Sequence, residues 1–203
     1  MTRIVSVIAT LLLSACVSLG GNTPATHYSL DVASGTPPGP TVAWQLVVGE
    51  PVADGVLSST SIVRRDADGS VAVYAGARWV EPAPLLVQSS VLRAFEKSGR
   101  IVGVGRVGET VRGDFLLHIE LVSFEAEGAG ECHVAITAKL VRPRDQRVVA
   151  TRTFDERAPI RARGMAAVVA AYRDALTPTV VALTTWVFDQ GIADADGRHS
   201  MSR

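Results

Sequence analysis

Seven apolar residues, Met165, Val169, Tyr172, Leu176, Val180, Leu183 and Val187, recur at intervals of 4, 3, 4, 4, 3 and 4 residues. Only an α-helix brings such positions onto one face, and a helix with one apolar face must be covered by another layer. The spacing therefore predicts a long C-terminal helix packed on a sheet. The segment is apolar enough to suggest a membrane span, but Arg173, Asp174 and Pro178 lie near its middle. Charges there are costly in lipid, so a core helix is the expectation. At 100° per residue Pro178 sits about 200° from Leu176, off the stripe, so one helix is expected, bent or broken there with the proline toward solvent. After Gln190 the sequence GIADADGRHSMSR is small and polar and is expected to be disordered.

The layer that covers this helix is legible upstream. Phe115, Leu117, Ile119 and Leu121 alternate with Leu116, His118, Glu120 and Val122, the period of a half-buried strand. EAEGAGE then reads as a turn, and 132–141 and 147–154 read as two further strands joined by RPRDQ. Together they predict an antiparallel meander with one buried face. Short strands are expected near 27–30 and at 44–48, the latter stopped by Pro51. Asp68-Gly69 between 61–64 and 71–74 reads as a hairpin turn, with 77–79 a separate extended piece. A first helix is expected over 82–98: Pro82 and Pro84 stand in its opening turn, Val87, Val91, Ala94 and Phe95 make its stripe with Leu92 on the flank, and Gly99 caps it. The fold class is a single α/β domain: a mixed sheet with an antiparallel meander and two main helices packed on it.

The N-terminus follows different chemistry. Arg3 is a short positive region, Ile4–Leu13 is an apolar run of 10 residues, and Leu13-Ser14-Ala15-Cys16 ends it. The run is too short to span a bilayer and fits a secretory signal. A branched apolar residue, two small residues and a cysteine form the bacterial lipoprotein signal, or lipobox. A peptidase cuts between Ala15 and Cys16, and the Cys16 sulfur takes a diacylglyceryl group. Two or more acyl chains of palmitate type anchor a protein stably, at about 0.8 kcal/mol per buried CH₂. Residues 1–15 are thus read as signal peptide, 16–26 as lipidated tether, 27–190 as the folded domain and 191–203 as a disordered tail. From Cys16 to Thr26 the tether reaches at most about 33–36 Å. Val17, in place of the aspartate that retains lipoproteins in the inner membrane of enteric-type bacteria, leans toward an outer-membrane anchor facing the periplasm and leaves inner-membrane retention open.

Little else in the chain carries chemistry. Lys+Arg and Asp+Glu are both 20, so no basic surface for nucleic acid is forced. Arg142, Arg144, Arg147, Arg157, Arg161 and Arg163 read as solvated turns, or as a docking patch for an acidic protein. Gly103–Gly108 matches G-x-G-x-x-G, but it follows a helix and leads into a strand, the reverse of a dinucleotide site. His27, His118, His133 and His199 lack metal spacing, and no metal or cofactor is expected. Cys132 reads as a small apolar residue at a strand start. Asp66, Asp68, Glu125, Glu127 and Glu131 are placed in turns, and no catalytic set is recognised.

The order lipobox, H-Y-S-L-D, W-Q-L-V-V-G-E-P-V, L-S-S-T-S-I-V-R-R, V-Y-A-G-A-R-W-V-E-P-A-P-L-L-V-Q, R-V-V-A-T-R-T-F and a final alanine-rich helix ending in W-V resembles the ABC-type transport auxiliary lipoproteins, the group that includes PqiC-type lipoproteins. The resemblance covers residues 27–188 and is most specific over Tyr74–Gln88. It implies a non-enzymatic, lipid-anchored periplasmic component of an ABC/MCE-type system that moves lipids or other hydrophobic compounds. Its implied partners are the ABC transporter, an MCE-type protein and further copies of itself in a ring. Tyr74, Arg78 and Trp79 are candidate partner contacts; the competing reading is that Tyr74 and Trp79 seal the core. The alternatives are a regulatory lipoprotein that activates a peptidoglycan synthase and a lipidated envelope hydrolase. Cys16→Ala is expected to abolish membrane partition and to leave the uncleaved precursor, which fractionation and immunoblotting read directly.

Overall fold

A computed structural model of the protein describes residues 24–32, 35, 38–109, 112–128 and 130–201, with side chains up to residue 197. Ala15, Cys16 and most of the tether lie outside the described residues, as do parts of the 33–40 loop. The described elements are β1 (Thr26–Tyr28), β2 (Val42–Val48), β3 (Val52–Ala53), a 3-10 turn (Gly55–Ser58), β4 (Ser61–Arg65), β5 (Val71–Trp79), α1 (Ala83–Ser98), β6 (Ile101–Arg106), β7 (Phe115–Glu127), β8 (Glu131–Arg142), β9 (Arg147–Pro159) and α2 (Met165–Met201).

β7 organises the sheet. Along one side it pairs in parallel with three short strands in turn: Leu46–Val48 of β2 beside Phe115–Leu117, Val52 of β3 beside Glu120, and Arg65 of β4 beside Glu127. Its other side pairs antiparallel with β8, which pairs antiparallel with β9. β5 joins β4 as a hairpin through the Asp68-Gly69 turn, β1 lies parallel to the end of β5, and β6 lies parallel to β2. The sheet is therefore mixed and the domain is α/β, with the expected meander at β7–β9. The 77–79 segment is not separate: it is the last third of β5, set off by Gly76, whose φ of 69° lies in the left-handed region that glycine tolerates.

The alternation in β7 changes phase once. Phe115, Leu117, Ile119 and Leu121 are buried, and so are Phe124 and Ala126. The register slips between Leu121 and Ser123, so one extra residue flips the inward set from odd to even. Glu125 and Glu127 consequently lie in β7, and Glu131 in β8, rather than in the expected turn. β7 thus runs on to Glu127 and β8 begins at Glu131.

The two helices cover the apolar face. α1 starts at Pro82 and ends at Gly99, whose φ is 63°, and buries Val87, Val91, Leu92, Ala94 and Phe95. Gln88, itself buried, donates from Nε2 to the Val48 carbonyl and accepts from Arg106 Nε, tying the helix to β2 and β6. α2 is apolar and long enough to cross a membrane by length and composition. Here its stripe lies on the sheet, with Tyr172, Leu176, Val180, Leu183 and Val187 all fully buried. The buried face is wider than one stripe, because α1 also packs against α2. Ala175, Thr179, Thr184 and Phe188 are buried as well. The two threonines satisfy their hydroxyls on the carbonyls of Ala175 and Val180, which lets polar residues sit in the core. Pro178 is exposed, as its angular position implies.

α2 does not stop at Gln190. It continues to Met201, so the expectation of a disordered tail from residue 191 does not match the structure. Three contacts explain the extension. Ile192 packs against the core, and Arg142 pairs with Asp194 at 3.0 Å with both side chains largely buried. Gly191 lies against the Trp44 ring, where an added Cβ would come within 2.6 Å of the ring. Gly197, by contrast, has open space around it. Gly191→Val should lower stability by about 1–3 kcal/mol through overpacking and expose the helix end to protease. Urea denaturation and limited proteolysis should show this, with Gly197→Ala close to wild type.

Candidate functional site

The three residues singled out beforehand do not form one surface. Trp79 is fully buried, its ring edge-on to Tyr172 at 5.1 Å and tilted on Phe124 at 5.8 Å. It is a core residue and has no exposed atom to offer a partner. Tyr74 is half-buried, with the Arg64 guanidinium 5.9 Å over its ring. Arg78 donates to Ser61 Oγ at 2.6 Å across the β4–β5 hairpin. Tyr172 donates to the Val63 carbonyl at 2.8 Å, and burial pushes its phenol well above the ordinary value of 10.0. Both this hydroxyl and the Cys132 thiol are absorbed by the core. Cys132 donates to the Val168 carbonyl at 3.6 Å, and burial, with a smaller push from Glu131, raises its pKa to about 12.

The sheet face opposite the helices carries a charge network that spacing alone did not reveal. His133 has Glu127 3.0 Å from Nδ1 and Asp155 3.1 Å from Nε2. Arg157 reaches Asp155 at 3.1 Å, Glu131 at 3.4 Å and Glu127 at 3.5 Å. Beside them the largely buried Glu125 accepts from Arg65 Nε at 2.7 Å, and that hydrogen bond holds the guanidinium above its ordinary pKa. Arg157 is thus not a solvated turn residue but a cross-strand partner for three carboxylates. The network joins β4, β7, β8 and β9. Its cations and carboxylates satisfy one another, which suits cross-strand cohesion rather than catalysis. Among the described residues no group of three or more His, Cys, Asp or Glu side chains is arranged to hold a metal ion. Gly103 and Gly105 lie inside β6 and Gly108 in the turn after it, so no helix N-terminus meets this glycine motif.

A third feature lies at the end of the sheet where β7 begins. The start of β2, from Pro40 to Trp44, and the far end of α2, at Ile192 and Ala195, enclose an open groove of about 410 Å³. Its walls are mainly apolar. Among the described residues its charged lining residues are the carboxylates Asp114 and Asp196. Asp114 holds the strand end: its Oδ2 accepts from the Gln45 amide at 2.9 Å, and its own amide donates to the Gln45 carbonyl. The groove was not legible beforehand because its second wall is built from residues expected to be disordered.

The family model described as "ABC-type transport auxiliary lipoprotein component" matches residues 28–183. The crystal structure of a Xanthomonas campestris protein, described under DUF330, is 38% identical and superposes with a TM-score of 0.80, covering 85% of this chain and 99% of that chain. An uncharacterized protein of known crystal structure is 11% identical with a TM-score of 0.66, covering 81% of this chain and 99% of its own, a likeness of fold alone. No curated protein matches the chain.

The buried thiol yields a direct test. Below pH 9.0 both folded and unfolded chains keep the Cys132 proton, so this group adds no pH dependence there. As pH rises from 9.0 toward about 12 the unfolded chain ionises first, and stability should fall. At pH 8 the native mature protein should resist a thiol-alkylating reagent at Cys132 and react only in denaturant, as intact-mass measurement would report.

Proposed function

The chain belongs to the family of ABC-type transport auxiliary lipoproteins, and from that premise we propose that it works as the lipid-anchored periplasmic component of an ABC/MCE-type envelope transport system. Membership makes an ABC-type transporter its partner and the cell envelope its place. The finer reading has four parts. Cys16 carries the lipid, the anchor lies in the outer membrane, and the domain meets an MCE-type protein that moves lipids or other hydrophobic compounds. Several copies act together as a ring.

The family match carries this reading, since it spans nearly all of the folded domain. The sequence supports the anchor: Arg3, the short apolar run and Leu13-Ser14-Ala15-Cys16 stand in the order that lipoprotein processing requires. The character of the domain agrees with a docking role. The cysteine and tyrosine in the core are unreactive by burial, and Glu125, Glu127, Glu131 and Asp155 on the open sheet face are held by arginines. Affinity purification of the acylated protein from its own membranes should recover the ATPase, permease and MCE-type subunits together. Deleting it should reproduce the outer-membrane permeability defect of a strain lacking the transporter. Recovery of a penicillin-binding protein in their place would overturn this function in favour of synthase regulation.

A further inference from the structure

β9 is an edge of the sheet. It pairs with β8, and among the described residues no strand lies along its other side. It is 13 residues long, the length of β7. The Ile160 amide, one step beyond β9, donates to the Gly130 carbonyl, which the β8–β9 register places opposite it. In an antiparallel pair the residues that bond across the ladder alternate with residues that face away. Arg152, Phe154, Glu156 and Ala158 therefore point their amides and carbonyls at β8, and Thr151, Thr153, Asp155 and Arg157 point theirs outward. Such an outward row is a template for one more strand.

The side chains select the strand that fits. Arg152, Phe154 and Glu156 share the helix-covered face, where Phe154 is buried with the Trp186 ring edge-on at 5.9 Å and the Arg152 guanidinium 5.1 Å over its own ring. Asp155 and Arg157, on the open face, are matched within the chain. Arg152 and Glu156 have no ion-pair partner among the described residues. If a second β9 runs antiparallel to the first with a two-fold axis beside Phe154, Arg152 of each copy stands opposite Glu156 of the other. Thr153 then stands opposite Asp155, and Thr151 opposite Arg157, so the outward rows exchange backbone hydrogen bonds. Arg152 and Glu156 fall in the intervening pairs, where side chains come closest. Sliding the register two residues either way loses both ion pairs, and in one direction it sets Asp155 against Asp155. Charges on an edge strand ordinarily keep other strands away; this symmetry brings opposite signs together. We propose that β9 pairs edge to edge with β9 of a second copy of this chain, continuing the sheet across a two-fold axis at Phe154. The contact uses the same surface on both copies and closes at two, so a larger ring needs a second surface as well. It supplies a surface for the self-association in the function above and does not depend on the transport role.

Sedimentation of the full-length mature protein in detergent, over a range of concentration, measures the pair. Arg152→Glu and Glu156→Arg should each weaken self-association by about tenfold or more, because each sets like charges opposite one another twice. The two variants mixed should associate with each other as the wild type does with itself, since every pair across the axis is then opposite in sign. The double variant should recover for the same reason. Hydrogen exchange at the outward Thr151, Thr153 and Asp155 amides should slow as the wild-type concentration rises. A wild-type protein that stays monomeric overturns the β9 pair. So do single variants that associate undiminished, a mixture that does not associate, or outward amides whose exchange ignores concentration. None of these outcomes touches the transport function, which is read by recovery of the ATPase and permease.

Discussion

The fold rests on a single strand sharing one of its edges among three others. β7 is thirteen residues long, and β2, β3 and β4 are too short to satisfy its backbone singly. They succeed one another along it, each in parallel register, while β8 satisfies the opposite edge over nearly the whole length. An unpaired buried amide or carbonyl is costly, so this succession is what allows a long central strand to be buried. The slip between Leu121 and Ser123 then lets both halves of β7 turn apolar residues toward the helices. Without it Phe124 would face the charged side and Glu125 the core.

That arrangement leaves a two-layer molecule with distinct surfaces. The helix-covered face is consumed by packing: Trp79, Phe124 and Tyr172 form one aromatic group, and Trp44, Phe95 and Phe188 lie in another around the far end of α2. Arg100 stacks 3.9 Å over Phe188 and reaches the Pro40 carbonyl, which fixes the chain before β2. The open sheet face is held by matched charges. The two ends differ: β1 lies toward one, and the other bears the apolar groove.

Legibility from sequence followed the range of the interactions. The stripes of α1 and α2, the Gly99 cap and the Asp68-Gly69 hairpin were readable because each depends on residues a few positions apart. The charge network was not. Glu125 and His133 meet only because β7 and β8 pair in one register, and Arg157 joins them from a third strand. Arg157 therefore looked like a turn residue. Trp79 read as a core residue in preference to a partner contact, but an indole flanked by arginine and valine carries no local signal of depth, and its burial came only from the structure. The end of α2 was missed for a similar reason. GIADADG is a poor helix by propensity, and its order comes from Trp44 and Arg142, which lie 147 and 52 residues from Gly191 and Asp194 respectively.

The amino-acid sequence alone carried the two main helices, the antiparallel meander, and the family membership that its motifs imply. Those depend on covalent order and on periodicities of 2 and 3.6 residues, which survive without a fold. Tertiary structure decided which side chains share a surface: that Trp79 is core, that four strands are stitched by charge, and that the C-terminal helix closes a groove over Trp44. These depend on register and on contacts between distant segments, whose closure is determined by the packing of the whole chain rather than by any stretch of it.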